Sequence, residues 1–201
     1  MGWVLYDVFH VIVYVLARIL FRLKVVGDEN IPAEGGVIVA SNHVSYLDPP
    51  LLGCAIKRRV NFMAREELFR MPLLGCLIKK FNAFPVKRDK ADRTAIKKAI
   101  SLLKNGEVVA MFPEGARSED GLLQKPKPGI GLITTLSGVS VVPTYIKGTE
   151  VSMPVGVWNI RFSPVTIYFG EPLNFPLRED YQSIGQKIMD RIAEIKDTVN
   201  R

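Results

Sequence analysis

The run Val37-Ile38-Val39-Ala40 contains no polar side chain, and the chain passes from it almost directly into Asn42-His43-Val44-Ser45-Tyr46-Leu47-Asp48. A short unbroken apolar run reads as a buried strand. Val108-Val109-Ala110-Met111-Phe112 repeats the pattern, giving way to the charged loop Pro113-Glu114-Gly115-Ala116-Arg117-Ser118. Further strands are expected at 60–63, 83–86, 139–146 and 165–169. Helices are expected at 48–56, in pieces across 66–80 broken near Pro72 and Gly75, and at 89–104, 130–136 and 181–199. Asp48 sits at a cap-like position before two prolines that a first turn tolerates. Ile96, Ala99, Ile100 and Leu103 share one face of the helix at 89–104, and Ile184, Ile188, Ile192 and Ile195 one face of the last. Alternation of this kind predicts a single α/β domain with a mixed, largely parallel sheet flanked by helices.

Before this domain lies a different segment. Residues 3–23 are almost continuously apolar, without the basic start or small-residue cleavage site of a signal peptide. Asp7, His10, Tyr14, Arg18 and Arg22 recur every three or four residues, which places them on one helix face. Charges there would be costly near a bilayer centre. A narrow polar stripe on an apolar helix fits a segment lying in one leaflet, and Arg18, Arg22 and Lys24 suit anionic headgroups. An ordinary core helix is the alternative. We divide the chain into a membrane-anchoring helix, 1–26, and an α/β domain, 27–201, on the cytoplasmic face of a membrane.

The net charge of +7 points to acidic partners. Aromatic residues are not interleaved with the basic ones as a single-strand binder requires, so nucleic acid is not expected. Lys79, Lys80, Lys87, Lys90, Arg93, Lys97 and Lys98 could face anionic lipid or an acidic carrier protein, or simply water. The two cysteines, Cys54 and Cys76, read as buried thiols, and no metal-ligand spacing exists.

His43 and Asp48 carry the chemistry. A carboxylate beside an imidazole fixes its tautomer and leaves the other ring nitrogen free to take a proton from a hydroxyl. No G-x-S-x-G elbow supplies a rival nucleophile. Ser45 reads as a turn residue, Cys54 as packed and inert, and Asn42 as a turn-holding side chain. Arg117 suits bidentate contact with phosphate, and backbone N–H groups around Gly115 can add donors.

Together, Asn42-His43-x-x-x-x-Asp48 and Phe112-Pro113-Glu114-Gly115-Ala116-Arg117-Ser118 resemble the first and third motifs of the glycerophospholipid acyltransferase family, N-H-x-x-x-x-D and F-P-E-G-T-R-S. Ala116 stands where threonine is usual. Phe84-Pro85-Val86-Lys87-Arg88 is similar to the second motif, Phe62 to Leu68 to a segment that usually carries lysine at the place of Arg65, and Val141-Val142-Pro143-Thr144 to the fourth, implicated in acyl-donor binding. The resemblance runs from about Ile31 to Gly148. It implies that His43 is the base and Asp48 its orienting partner. It implies that Arg88, Glu114, Gly115 and Arg117 bind the acceptor phosphate, and that Arg65 binds it too or neutralises the oxyanion. The implied reaction moves an acyl chain from acyl-CoA or acyl carrier protein, as co-substrate and without a cofactor, to the sn-2 hydroxyl of 1-acylglycerol 3-phosphate (lysophosphatidic acid). The product is phosphatidic acid. Glycerol 3-phosphate, another lysophospholipid or a lyso-aminolipid are alternative acceptors, and a non-catalytic basic membrane-binding module is the alternative of another class.

Overall fold

Among the described residues, seven strands form one sheet. The structure is a computed structural model that describes residues 2–87, 92–157, 159–176 and 179–201, with the side chains of the first helix described from Val8 onward. The strands are β1 (Lys24–Val26), β2 (Val37–Ser41), β3 (Val60–Arg65), β4 (Ala83–Val86), β5 (Val108–Met111), β6 (Ser140–Lys147) and β7 (Thr166–Phe169). Their spatial order is β1-β7-β6-β2-β5-β3-β4, parallel at every pairing except β6 with β7. The helices are α1 (Gly2–Leu20), α2 (Asp48–Ala55), α3 (Pro72–Lys80), α4 (Arg93–Lys104), α5 (Pro128–Ser137), α6 (Thr149–Ser152) and α7 (Tyr181–Val199). The mixed, largely parallel sheet expected from the sequence is therefore present.

Period-two alternation explains why β2 carries no polar residue from Val37 to Ala40. Val37 and Val39 enter a core shared with α1 and α2, through Ala17, Leu51 and Leu52. Ile38 and Ala40 enter a second core shared with α4, α5 and α7. A strand covered on both faces must be apolar at every position. In α7, Ile184, Ile188 and Ile192 are fully buried, as their spacing predicts. Each burial of this size contributes roughly 1.5–3 kcal/mol.

Three local expectations give way to the structure. The N-terminal helix stops at Leu20, and Arg22 has a positive φ of 45°. Lys24–Val26 then pairs with β7, so the segment read as helix up to residue 26 ends in a strand of the sheet. Gly75 does not break a helix; it lies inside α3, where an added Cβ would come within 2.5 Å of the Phe69 carbonyl oxygen. The helix foreseen from Asp89 begins, among the described residues, at Arg93. Asp92 caps it by accepting from the Thr94 and Ala95 amides at 3.0 Å.

The polar stripe of α1 also turns out differently. His10 Nε2 lies 3.0 Å from the Ile56 carbonyl oxygen and 3.2 Å from that of Gly53. Tyr14, Val13 and Ala17 pack into the core on the same side. His10 and Tyr14 thus face the domain, whereas Val8, Val11, Ile12, Val15, Leu16 and Ile19 are exposed. Asp7 lies outside the described side chains. No helix among the described residues is long and apolar enough to cross a membrane.

Candidate active site

The register brings the two charged loops together. β2 and β5 are parallel neighbours, with Ala40 opposite Met111. His43 and Glu114 therefore emerge at the same, carboxyl end of the sheet, the usual place for chemistry in open α/β folds. On the far side of β5, β3 and β4 run together as far as the Arg65–Val86 pair and end on this same edge.

Asp48 organises the first loop from the opening residue of α2. Its Oδ2 accepts from His43 Nδ1 at 2.8 Å and from the amides of Val44 and Ser45 at 2.7 and 2.8 Å. The carboxylate is fully buried, and its Oδ1 has no partner. Three donors converging on one oxygen match an acceptor-only carboxylate. They also place the proton of neutral His43 on Nδ1, which leaves Nε2 as the basic nitrogen. The imidazole stacks on Phe112, with ring centroids 4.0 Å apart and 19° between planes. His43 lines an open cleft of about 440 Å³.

Asn42, the first residue past β2, is structural, and its side chain is held by β6. Its Oδ1 accepts from the Ile146 amide at 2.8 Å, and its Nδ2 donates to the Ile146 carbonyl at 3.1 Å. The side chain thus extends the ladder to β6 one residue past β2 and fixes where the His43 loop begins. Ser45 donates its hydroxyl to the Met153 carbonyl at 2.8 Å and accepts from the Leu47 amide, which occupies it structurally. Cys54 is buried, and burial pushes its thiol up to about 12. Neither side chain is presented as a nucleophile. Cys76, read as a second buried thiol, is exposed on α3, because the buried side of that helix is the Gly75 side.

The second loop corrects one assignment. The sequence reading placed Glu114 against the acceptor phosphate. In the structure its carboxylate is buried and accepts from two backbone amides, His43 through Oε1 at 3.2 Å and Gln124 through Oε2 at 3.3 Å. It does not line the cleft. A carboxylate with both oxygens turned to amides holds the two loops together, and its charge would repel a phosphate. Burial raises this carboxyl to about 7. Gly115 (φ +70°) lets the chain turn beside Lys127, whose Cγ would lie 2.9 Å from an added Cβ.

Arg117 reaches the cleft. Its guanidinium carbon lies 3.5 Å above the Tyr46 ring, and its buried Nη1 has no hydrogen-bond partner. A stacked guanidinium with a donor unspent is ready for an anionic ligand. Arg65, Lys87 and Lys127 line the same cleft, as do Gly115 and the acid Glu119. Apolar Met63, Leu68, Met111 and Ile130 complete its walls. Arg88 lies outside the described residues. Tyr46 and Lys127 were missed by sequence reasoning. Only the x positions of the first motif pointed to Tyr46, and nothing in the composition of Pro126-Lys127-Pro128 distinguished a cleft-lining lysine from a solvated one.

A family model described as Acyltransferase matches residues 22–147. The 1-acyl-sn-glycerol-3-phosphate acyltransferase of Bacillus subtilis (strain 168) is 30% identical over 187 residues, covering 89% of this chain and 90% of that one. The chloroplastic enzyme LPAT1 of Arabidopsis thaliana, of the same description, is 32% identical over 139 residues, 68% of this chain and 39% of the longer plant protein. The crystal structure of the 1-acyl-sn-glycerophosphate (LPA) acyltransferase PlsC from Thermotoga maritima superposes with a TM-score of 0.77 at 29% identity, covering 95% of this chain and 81% of that one. With the family model spanning both charged loops and the strands that present them, the chain belongs to the acyltransferase family.

Proposed function

We propose that the protein transfers a fatty acyl chain from acyl-CoA or acyl carrier protein to the sn-2 hydroxyl of 1-acylglycerol 3-phosphate, forming phosphatidic acid. The observation that carries this reading is the 2.8 Å contact between His43 Nδ1 and Asp48 Oδ2, on the wall of a cleft that also holds Arg117. The named relatives support the choice of acceptor.

The proposed mechanism is direct. His43 Nε2 takes the proton of the sn-2 hydroxyl as its oxygen attacks the thioester carbonyl. Asp48 stabilises the imidazolium formed. The tetrahedral intermediate collapses with cleavage of the carbon–sulfur bond, and the departing thiolate recovers the proton from Nε2. Arg117 takes the acceptor phosphate, and Arg65 either adds to that contact or faces the oxyanion. Neither Ser45 nor Cys54 is available to hold the acyl group between two half-reactions. α1 lies on one leaflet through its exposed Val11, Ile12, Val15 and Ile19 and keeps the catalytic domain at the surface from which the acceptor comes, the cytoplasmic one. Each methylene withdrawn from the bilayer into water costs about 0.8 kcal/mol, so a site beside the leaflet avoids that loss.

The test is reconstitution in vesicles with a panel of lyso-acceptors and both donor types. Conversion of 1-acylglycerol 3-phosphate well above glycerol 3-phosphate and phosphate-free acceptors is expected. Equal conversion of an acceptor without phosphate would contradict the headgroup assignment.

A further inference from the structure

The strand β3 is followed by one 3-10 stretch, Glu66–Arg70, and then α3. Spacing within α3 puts Leu73, Cys76, Leu77 and Lys80 on one face, at i, i+3, i+4 and i+7. All four are exposed, and Leu73 is 89% so, the largest value among the exposed large hydrophobic residues described. Met71, just before the helix, is exposed as well. Gly75 on the opposite side seats the helix tightly on Phe69. The apolar face is therefore held outward by close backbone packing, rather than being left over from a loosely packed core.

Contiguous apolar surface on a soluble domain marks an interaction site, and here the surroundings favour lipid. Phe81, directly after α3, packs edge-on against Phe9 of α1 with centroids 4.9 Å apart. Phe9 is itself exposed on α1, so that contact brings the end of α3 beside the apolar side of α1. Lys79, Lys80 and Arg70 are exposed around the α3 face. Of the two acids nearby, Glu66 pairs with Arg70 at 3.2 Å, and Glu67 is exposed. An apolar face edged with an excess of cations fits an anionic leaflet. Leu68, four residues before α3 begins, lines the catalytic cleft, so the segment that leads into α3 borders the active site.

We propose that α3 is a second membrane-contacting element, setting Leu73, Cys76 and Leu77 into the same leaflet as α1 with Lys79 and Lys80 at headgroup level. The inference rests on the leaflet-bound reading of α1. Two contacts instead of one fix the tilt of the domain, so that the cleft opens toward the lipid surface.

Cys76 supplies the probe. Its thiol is exposed, whereas Cys54 is buried, so a polarity-sensitive maleimide fluorophore labels Cys76 in the intact chain, with Cys76→Ser as control. The labelled protein is mixed with phosphatidylcholine vesicles containing phosphatidylglycerol. A blue shift, quenching by brominated lipid and protection from aqueous iodide are expected. Sedimentation with the vesicles while the probe keeps its aqueous emission would overturn the role of α3 and leave that of α1 standing. Failure to sediment would overturn both. The double substitution Leu73→Glu, Leu77→Glu should weaken vesicle binding about tenfold or more. It should also lower turnover of a long-chain acceptor held in vesicles, and leave that of a short-chain dispersed acceptor unchanged. Equal loss on both acceptors would contradict the proposal.

Discussion

The His43 loop and the Arg117 loop leave adjacent parallel strands, and they are held in opposite ways. Around His43 the polar groups are matched except for the buried Asp48 Oδ1. Asn42 clasps Ile146, Asp48 gathers three donors, Glu114 takes the His43 amide, and the His43 carbonyl accepts from the Ser118 amide at 2.8 Å. Arg117, by contrast, is positioned by an aromatic face and keeps a buried N–H unpartnered. A base works when its geometry is set in advance, because reorientation during the reaction raises the barrier. A headgroup site works when donors remain unspent until the ligand arrives. On the proposed reading, the base is oriented before substrate arrives, whereas Arg117 is completed by it.

The contrast breaks most sharply at His43. His43→Ala should lower kcat by about a hundredfold or more while leaving the fold intact, since the ring stands on the cleft wall. Thermal melting alongside turnover checks this, and a folded variant with full activity would remove the base from the account. Next comes Asp48→Asn, which keeps an oxygen for the three donors but loses the charge. We expect kcat to fall on the order of tenfold to a hundredfold with both KM values nearly unchanged. A loss of folding instead would mean that the charge, not the oxygen, organises the loop.

On the completed-by-substrate side, Arg117→Lys replaces a planar fork by a point charge. The acceptor KM should rise about tenfold, worth about 1.4 kcal/mol, with the donor KM unaffected. Parallel rises in both would point to a disturbed loop rather than a lost phosphate contact. The smallest effect on turnover concerns Glu114. Its carboxyl is raised by burial to about 7 from an ordinary 4.5, so between these values the folded chain holds a proton that the unfolded chain has released. Stability from this group is present in full below pH about 4.5 and is lost as pH rises through about 7. Between pH 5 and pH 8, denaturant unfolding should show the wild type losing stability relative to Glu114→Gln, which does not titrate there, by on the order of 2 kcal/mol. A difference that does not change with pH would mean that the carboxyl does not titrate in this range.

Much of this was legible because the relevant signals are local. Unbroken apolar runs gave β2 and β5, the four-residue spacing of isoleucines gave the buried face of α7, and His43 and Asp48 lie close enough in sequence for one turn to join them. What stayed hidden depends on partners far along the chain. Lys24–Val26 is a strand because β7 lies beside it; three residues carry no periodicity. Glu114 is the type of residue a polar headgroup site could use, and only its distance to the His43 and Gln124 amides shows that it faces inward. Polarity alone could not tell which members of the α1 stripe would face the domain; Arg18 stays exposed, and Arg22 lies past the end of the helix. His10 and Tyr14 instead find their partners in the domain, and the apolar side turns out. Lys127 reaches the cleft through the turn at Gly115, a juxtaposition with no trace in its own neighbourhood.

The central claim is that the acyl group passes directly from donor to acceptor, with His43 as base and no residue carrying it in between. Intact-mass measurement of the protein incubated with acyl donor alone tests this most directly. The account expects an unchanged mass, and rapid-quench kinetics without a burst of released thiol. A mass increase of one acyl group, formed quickly enough to lie on the turnover path, would contradict it.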